Sequence, residues 1–299
     1  MKFLMIFIFM MISVGFYMLI ERKILGYINN RKGPNKILIM GIIQFINDLI
    51  KLIFKINVNL IFINKIILFT FMMMLLLITF VMWFFIPLFY NYLNFNFLML
   101  LILMFLINKM LMMLNLIWSL NSIYSMLSIM RLMIQNFSYE ILIMLFFFFF
   151  CFIVKHLNLM FINYLFKFNM ILMFSFLVFY YWLIGLMIEL NRIPFDFFES
   201  ESELVSGFNI EFSSLFFMIL FLIEYLDMIY MMFFSLFLFM NLNLMNLMFY
   251  LFLIVFLLIY LFIRGFMICF RIDLMFELLW KILFPLMFNY LIFFLFILL

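Results

Sequence analysis

The sequence predicts an all-α integral membrane protein, with about eight transmembrane helices and an amphipathic surface helix in its first long loop. Three observations predict it. Of 299 residues, 73% are hydrophobic and only 10% are charged, whereas soluble domains carry about 25% charged residues. Uncharged runs long enough to cross a bilayer recur, the longest being the 43 residues Ile66–Asn108. Short alternating strands, the mark of a membrane barrel, are not visible, and helices satisfy their backbone amides within lipid. Alanine is absent and only seven glycines occur. Helix packing must therefore rest on Phe, Leu and Met in place of small residues. We read this bias as strongly AT-rich coding, as in an organelle genome.

Taken in order, Lys2 precedes 18 uncharged residues, and a first helix is expected near 3–20, ended by Glu21, Arg22 and Lys23. Residues 21–65 hold eight of the 17 basic residues. Gly33-Pro34 marks a turn there. Near 37–55, Gln44, Asp48, Lys51 and Lys55 share one helical face, which predicts the surface helix. Pro87 and the asparagines 91, 94 and 96 divide the long apolar run into helices near 66–89 and 97–119. Lys109 falls inside the second, where snorkelling or a neighbouring subunit would have to accommodate it. The polar stretch from Asn121 to Arg131 reads as a loop. Further helices are expected near 134–154, 168–190, 212–239, 244–263 and 276–298, the whole forming one membrane domain. Pro194 stops the helix that ends near 190, because proline disfavours helix in the residue before it.

The acidic residues are distributed unevenly. Six of the 13 lie between Glu189 and Glu211, in an acidic loop (191–211) flanked by apolar spans. Glu140, Glu224 and Asp227 lie within helices, the last two three apart on roughly one face. An ionised carboxylate at mid-bilayer costs on the order of 2.5–3.5 kcal/mol. Such groups are candidates for proton exchange, and the functional reading is a relay fed by the loop acids. The bland alternative is structural pairing with Arg131, Arg192 or partner subunits. For Glu199, Glu201 and Glu203 it is a merely solvated acidic face. With two cysteines and one histidine, the chain lacks the ligands for an iron–sulfur cluster or haem. It also has no phosphate-binding loop. If it serves redox chemistry, the electrons run in a partner.

Four blocks of sequence resemble the quinone-site membrane subunit family of respiratory complex I. They are ERKILGYINNRKGPNK with Gln44, Asp48 and Lys51; Asn121, Ser122 and Tyr124 through Arg131, Gln135 and Ser138-Tyr139-Glu140; ELNRIPFDFFESESELVSGFNIE; and Arg264-Gly265, Arg271, Asp273, Trp280-Lys281, Pro285 and Asn289-Tyr290. The chain departs from the family pattern at Phe45, Ile46 and Asn47, at Ser128, at Leu190 and at Ile268-Cys269. The resemblance implies that ubiquinone, the substrate, enters between the first helix, the surface helix and the sixth helix, past Arg22, Arg31 and Asp48. It also implies that Glu140, Glu189, Glu199, Glu201, Glu203, Glu211 and Glu224 form an acidic track that couples quinone reduction to proton translocation. NADH, FMN and iron–sulfur clusters would belong to partner subunits only. Those partners are hydrophilic quinone-site and iron–sulfur subunits, antiporter-like membrane subunits and membrane lipids, with no nucleic acid. No metal is expected here.

By the positive-inside rule the basic long loops face the negative side. In the mitochondrial inner membrane that is the matrix, with both termini in the intermembrane space. A stand-alone proton- or cation-coupled carrier also explains the buried acids, but not the missing internal repeat. A membrane-bound hydrogenase subunit shares the architecture.

Overall fold

A computed structural model describes residues 2–31, 41, 44–55, 63–85, 97–158, 176–197, 212–240 and 246–298. Every regular element among them is helical. In chain order they are α1 (Lys2–Ile28), α2 (Gln44–Phe54), α3 (Lys65–Phe84), α4 (Leu98–Trp118), α5 (Ile123–Val154), α6 (Phe176–Glu189), α7 (Ser214–Met240), α8 (Leu247–Phe266), α9 (Ile272–Phe276), a π-helical stretch (Glu277–Leu283) and α10 (Phe284–Leu298). Among the described residues, six segments have the length and apolarity to cross a membrane: α3, α4, α5, α7, α8 and the composite Ile272–Phe293. At 14 residues, α6 is shorter, and α1 has 27 residues, about 40 Å of helix.

Three helix ends differ from the sequence expectation, each for a local reason. The first helix does not stop at Glu21 but runs on to Ile28. Glu21 is paired inside the protein while Arg22 reaches outward to Asp48, so the charged triplet is compatible with continued helix. The segment read as a loop from Asn121 is the first part of α5. Ser122 caps it, accepting from the Ser125 backbone N–H, while the Ser125 side chain accepts from the Ser122 N–H. The hydroxyls of Ser125 and Ser128 then donate to carbonyls three residues back. The last helix begins at Ile272, ahead of the expected 276. The surface helix α2 is 11 residues long and buries no residue fully. Residues 37–40, 42 and 43 of the segment expected at 37–55, the turn at Gly33-Pro34, Pro87 with its asparagines, and the start of the helix expected at 168 lie outside the described residues.

At the centre is α7, which packs on α1, α2, α3 and α8. Its residues from Tyr225 to Phe239 are all buried. Aromatic rings fill the places where small residues usually permit close approach. Phe146 meets Trp182 at 5.1 Å, and Phe239 meets Phe150 at 5.1 Å and Phe179 at 5.0 Å, all edge-on, a favourable geometry for rings. Gly185 and Gly15 sit at close contacts between helices. A Cβ at Gly185 would stand 3.3 Å from the Tyr139 ring, and one at Gly15 would overlap the Phe45 ring at 2.4 Å. Gly15 therefore lets α2 lie against α1.

Candidate functional site

The turn after α6 gathers three of the motif blocks. Helix α6 stops at Glu189, and Asn191 takes a left-handed backbone (φ 49°), which asparagine tolerates better than most residues. Gln135, on α5, donates its side-chain N–H to the Ile188 carbonyl at 3.0 Å and to that of Phe195 at 3.3 Å. Arg131 donates to the Phe197 carbonyl at 3.4 Å. From the segment after α8, the Phe270 N–H donates to the Pro194 carbonyl at 2.9 Å, and the Phe270 ring lies 5.5 Å from that of Phe195. Residues distant in sequence thus hold Glu189 and Arg192 in place.

Around this turn is a buried charge network. Lys109 of α4, 7% exposed, donates to Oε1 of Glu189 at 3.0 Å and lies 3.5 Å from Oδ2 of Asp227. Arg192 donates to Glu224 at 2.7 Å, and its guanidinium lies 5.2 Å from the centre of the Tyr225 ring. Lys109, Glu189, Asn191, Arg192, Glu224 and Asp227 all line one cavity of about 30 Å³. That is room for a water molecule or two. Glu189 also lines a second, smaller cavity with Asn136, Tyr139 and Glu140. It is 2% exposed, and its Oε2 has no hydrogen-bond partner among the described residues. Glu189 therefore sits between half-buried Glu140 on one side and the Arg192–Glu224 pair on the other. The two buried cations, Lys109 and Arg192, each face a carboxylate of this chain, as burial demands. Pairing of Lys109 with a neighbouring subunit is not needed.

One turn back towards the N-terminus of α7 lies a different environment. Phe217, Met218, Phe221 and Leu222 face Met11, Val14, Met18 and Leu19 of α1 and Phe45, Leu49 and Leu52 of α2, around a cavity of about 190 Å³. Arg22 and Asp48 are its charged lining residues, 3.7 Å apart, Arg22 exposed and Asp48 half-buried. Arg31 is exposed at the end of α1 and does not line this cavity. Glu199, Glu201, Glu203 and Glu211 lie outside the described residues. Among the described residues, no group of three His, Cys, Asp or Glu side chains converges to hold a metal.

Sequence reasoning missed one member of the network. Glu21, 3% exposed, accepts from Tyr225 Oη at 2.6 Å and is paired with Arg264 at the end of α8. It therefore stands between the large cavity and Arg192. No local signal marks it, because ERK at the end of an apolar run reads as a solvated boundary.

A sequence model of the family described as NADH dehydrogenase matches residues 1–295. The chain belongs to the NADH dehydrogenase family. Among its relatives, the protein of Apis mellifera ligustica named NADH-ubiquinone oxidoreductase chain 1 is 37% identical over 223 residues, covering 73% of this chain and 70% of that one. Proteins of the same name from Aedes aegypti and Rhipicephalus sanguineus are 36% and 39% identical, over 71% and 70% of this chain and 67% of each of theirs. As a family member this chain is an all-α, multi-span subunit. The cavity and the charge network are parts of that membrane body.

Proposed function

We propose that this chain is the membrane subunit of NADH:ubiquinone oxidoreductase, respiratory complex I, that forms the ubiquinone access passage and the start of the proton-coupling acidic track. It would lie in the mitochondrial inner membrane, its long basic loops on the matrix side and its termini in the intermembrane space. Its relatives' shared name supports membership of the complex. The observation that carries the finer reading is the continuity along α7. Phe221 and Leu222 line the apolar cavity, Tyr225 holds Glu21, and Glu224 and Asp227 line the charged one. From Phe221 to Asp227 is about 9 Å of helix at 1.5 Å per residue.

The apolar cavity suits an isoprenoid quinone. Aliphatic and aromatic side chains from three helices give it a greasy wall, and Arg22 and Asp48 give it a polar edge. Reducing a quinone consumes two protons as well as two electrons, and the electrons come from iron–sulfur clusters of a partner subunit fed by NADH and FMN. This chain's own part is to admit the substrate, keep bulk water out with rings such as Phe217 and Phe221, and carry the charge change onward. An altered charge at the cavity acts on Glu21, Arg264 and Arg192 through a poorly screened interior. From there it reaches Glu224, Glu189 and Glu140. Glu199, Glu201, Glu203 and Glu211 would feed or continue that track towards antiporter-like subunits.

The experiment is Gly15→Val in the assembled complex. The added methyls meet the Phe45 ring and displace α2 from α1. The KM for ubiquinone should rise several-fold in complexes that still oxidise NADH with a hydrophilic acceptor. An unchanged KM would remove the cavity from the quinone path.

A further inference from the structure

Lys109 is a costly residue to keep where it is. A lone ammonium inside a bilayer is strongly disfavoured, and α4 from Leu98 to Trp118 carries no other charged residue. The protein spends two carboxylates on it. Glu189 arrives from α6, 80 residues away in sequence, and Asp227 from α7. One ammonium against two carboxylates leaves a single net negative charge. If the lysine served packing alone, one counter-ion would suffice to neutralise it.

The contact geometry is asymmetric in a useful way. Lys109 occupies Oε1 of Glu189. The other oxygen, Oε2, is buried and has no hydrogen-bond partner among the described residues. Glu189 lines both cavities, one with Glu140 and one with Arg192, Glu224 and Asp227. The titratable and charged groups packed around the cluster are Lys109 from α4, Tyr139 and Glu140 from α5, Glu189 from α6, Arg192 from the following turn, and Glu224, Asp227 and Tyr230 from α7.

We propose that Lys109 is a positioning residue of the coupling path. Shared between Glu189 and Asp227, it makes the two carboxylates one unit with one net negative charge, and it leaves Oε2 of Glu189 as the oxygen that exchanges the proton. The inference rests on the reading of Glu189 as part of a proton track. A proton taken up on Oε2 neutralises the unit, and its release towards either cavity restores the negative charge. The lysine itself stays charged throughout.

The test uses the whole complex in sealed membrane vesicles. NADH-driven ubiquinone reduction and proton uptake are followed against pH, with rates normalised to assembled complex. The variants are Asp227→Asn, the double variant Lys109→Met with Asp227→Asn, and Glu189→Gln as reference. Asp227→Asn keeps the shape and the Lys109–Glu189 contact but gives the lysine one carboxylate instead of two. The acid limb of coupled turnover should move to lower pH by about one unit or more, the size of effect expected from one nearby charge. The double variant leaves Glu189 without its cation, and the limb should move to higher pH than in Asp227→Asn. A wild-type pH profile in Asp227→Asn would overturn the proposal, even if the double variant does not assemble. Glu189→Gln separates the two levels. Undiminished proton uptake there would remove the proton track itself, whereas its loss alongside unmoved profiles would overturn only the role of Lys109.

Discussion

Replacing Glu21 by glutamine removes a charge that two donors share. Arg264 is paired with one carboxylate oxygen and Tyr225 donates its hydroxyl to the other at 2.6 Å. The side chains of Glu21 and Arg264 are only 4% and 18% exposed, so water does not replace what is lost. A glutamine has one oxygen and one NH₂ group. With its oxygen on Arg264 and its NH₂ donating to the Tyr225 hydroxyl it keeps both hydrogen bonds, but the guanidinium keeps its charge without a counter-ion. Breaking a buried pair from one side costs about 3–5 kcal/mol. Tyr225→Phe removes only one hydrogen bond to a charged group, about 1.5–3 kcal/mol. The double change Glu21→Leu with Arg264→Leu removes both charges together and should cost less than Glu21→Gln alone. The assay is thermal inactivation of the assembled complex in mild detergent, scored by loss of ubiquinone reduction. Glu21→Gln should inactivate fastest, with Tyr225→Phe and the double variant between it and wild type. If Glu21→Gln is as stable as wild type, Glu21 is not a buried hub.

Other outcomes follow from the same geometry. Glu140→Gln and Glu189→Gln should each lower proton uptake per NADH oxidised by well over half; measured in vesicles, uptake unchanged in both would count against a relay through these acids. Arg22→Ala breaks an ion pair between solvent-accessible groups, worth at most about 1 kcal/mol, so assembly measured on native gels should not fall. The KM for ubiquinone should nevertheless rise, and a loss of assembly would mean that Arg22 serves structure. Cys269, exposed in the segment after α8, has its thiol raised above the ordinary value by partial burial and then by the negative charge of Asp196. The thiolate is the reactive form. Alkylation at pH 7 should therefore be slow, quicken as pH rises, and be faster at pH 7 in Asp196→Asn, as read by mass spectrometry.

The helical membrane body is legible in the sequence because lipid demands long uncharged runs, and Ile66–Asn108 or Phe3–Ile20 meet that demand openly. Boundaries are less legible. Ser122, Ser125 and Ser128 look like loop composition, yet their hydroxyls bond to local backbone and sit comfortably in the first turns of α5. Glu140, Glu189 and Glu224 can be singled out because a carboxylate inside an apolar run is conspicuous. Their partners cannot. Lys109 meets Glu189 across 80 positions and Glu21 meets Arg264 across 243, and pairing at such separations is set by helix packing that local pattern does not encode. Glu224 and Asp227 are intermediate, since their spacing of three places them on one face and both line the same cavity. Arg31 does not line the cavity that Arg22 and Asp48 border.

Membership of a quinone-reducing assembly is tested most directly by capture of this chain from native membranes in mild detergent. NADH-driven ubiquinone reduction and iron content are then measured on the same sample. A large, iron-containing assembly that reduces ubiquinone is expected. A small, iron-free particle that reduces no quinone yet moves protons across liposomes would contradict that expectation and make the chain a carrier.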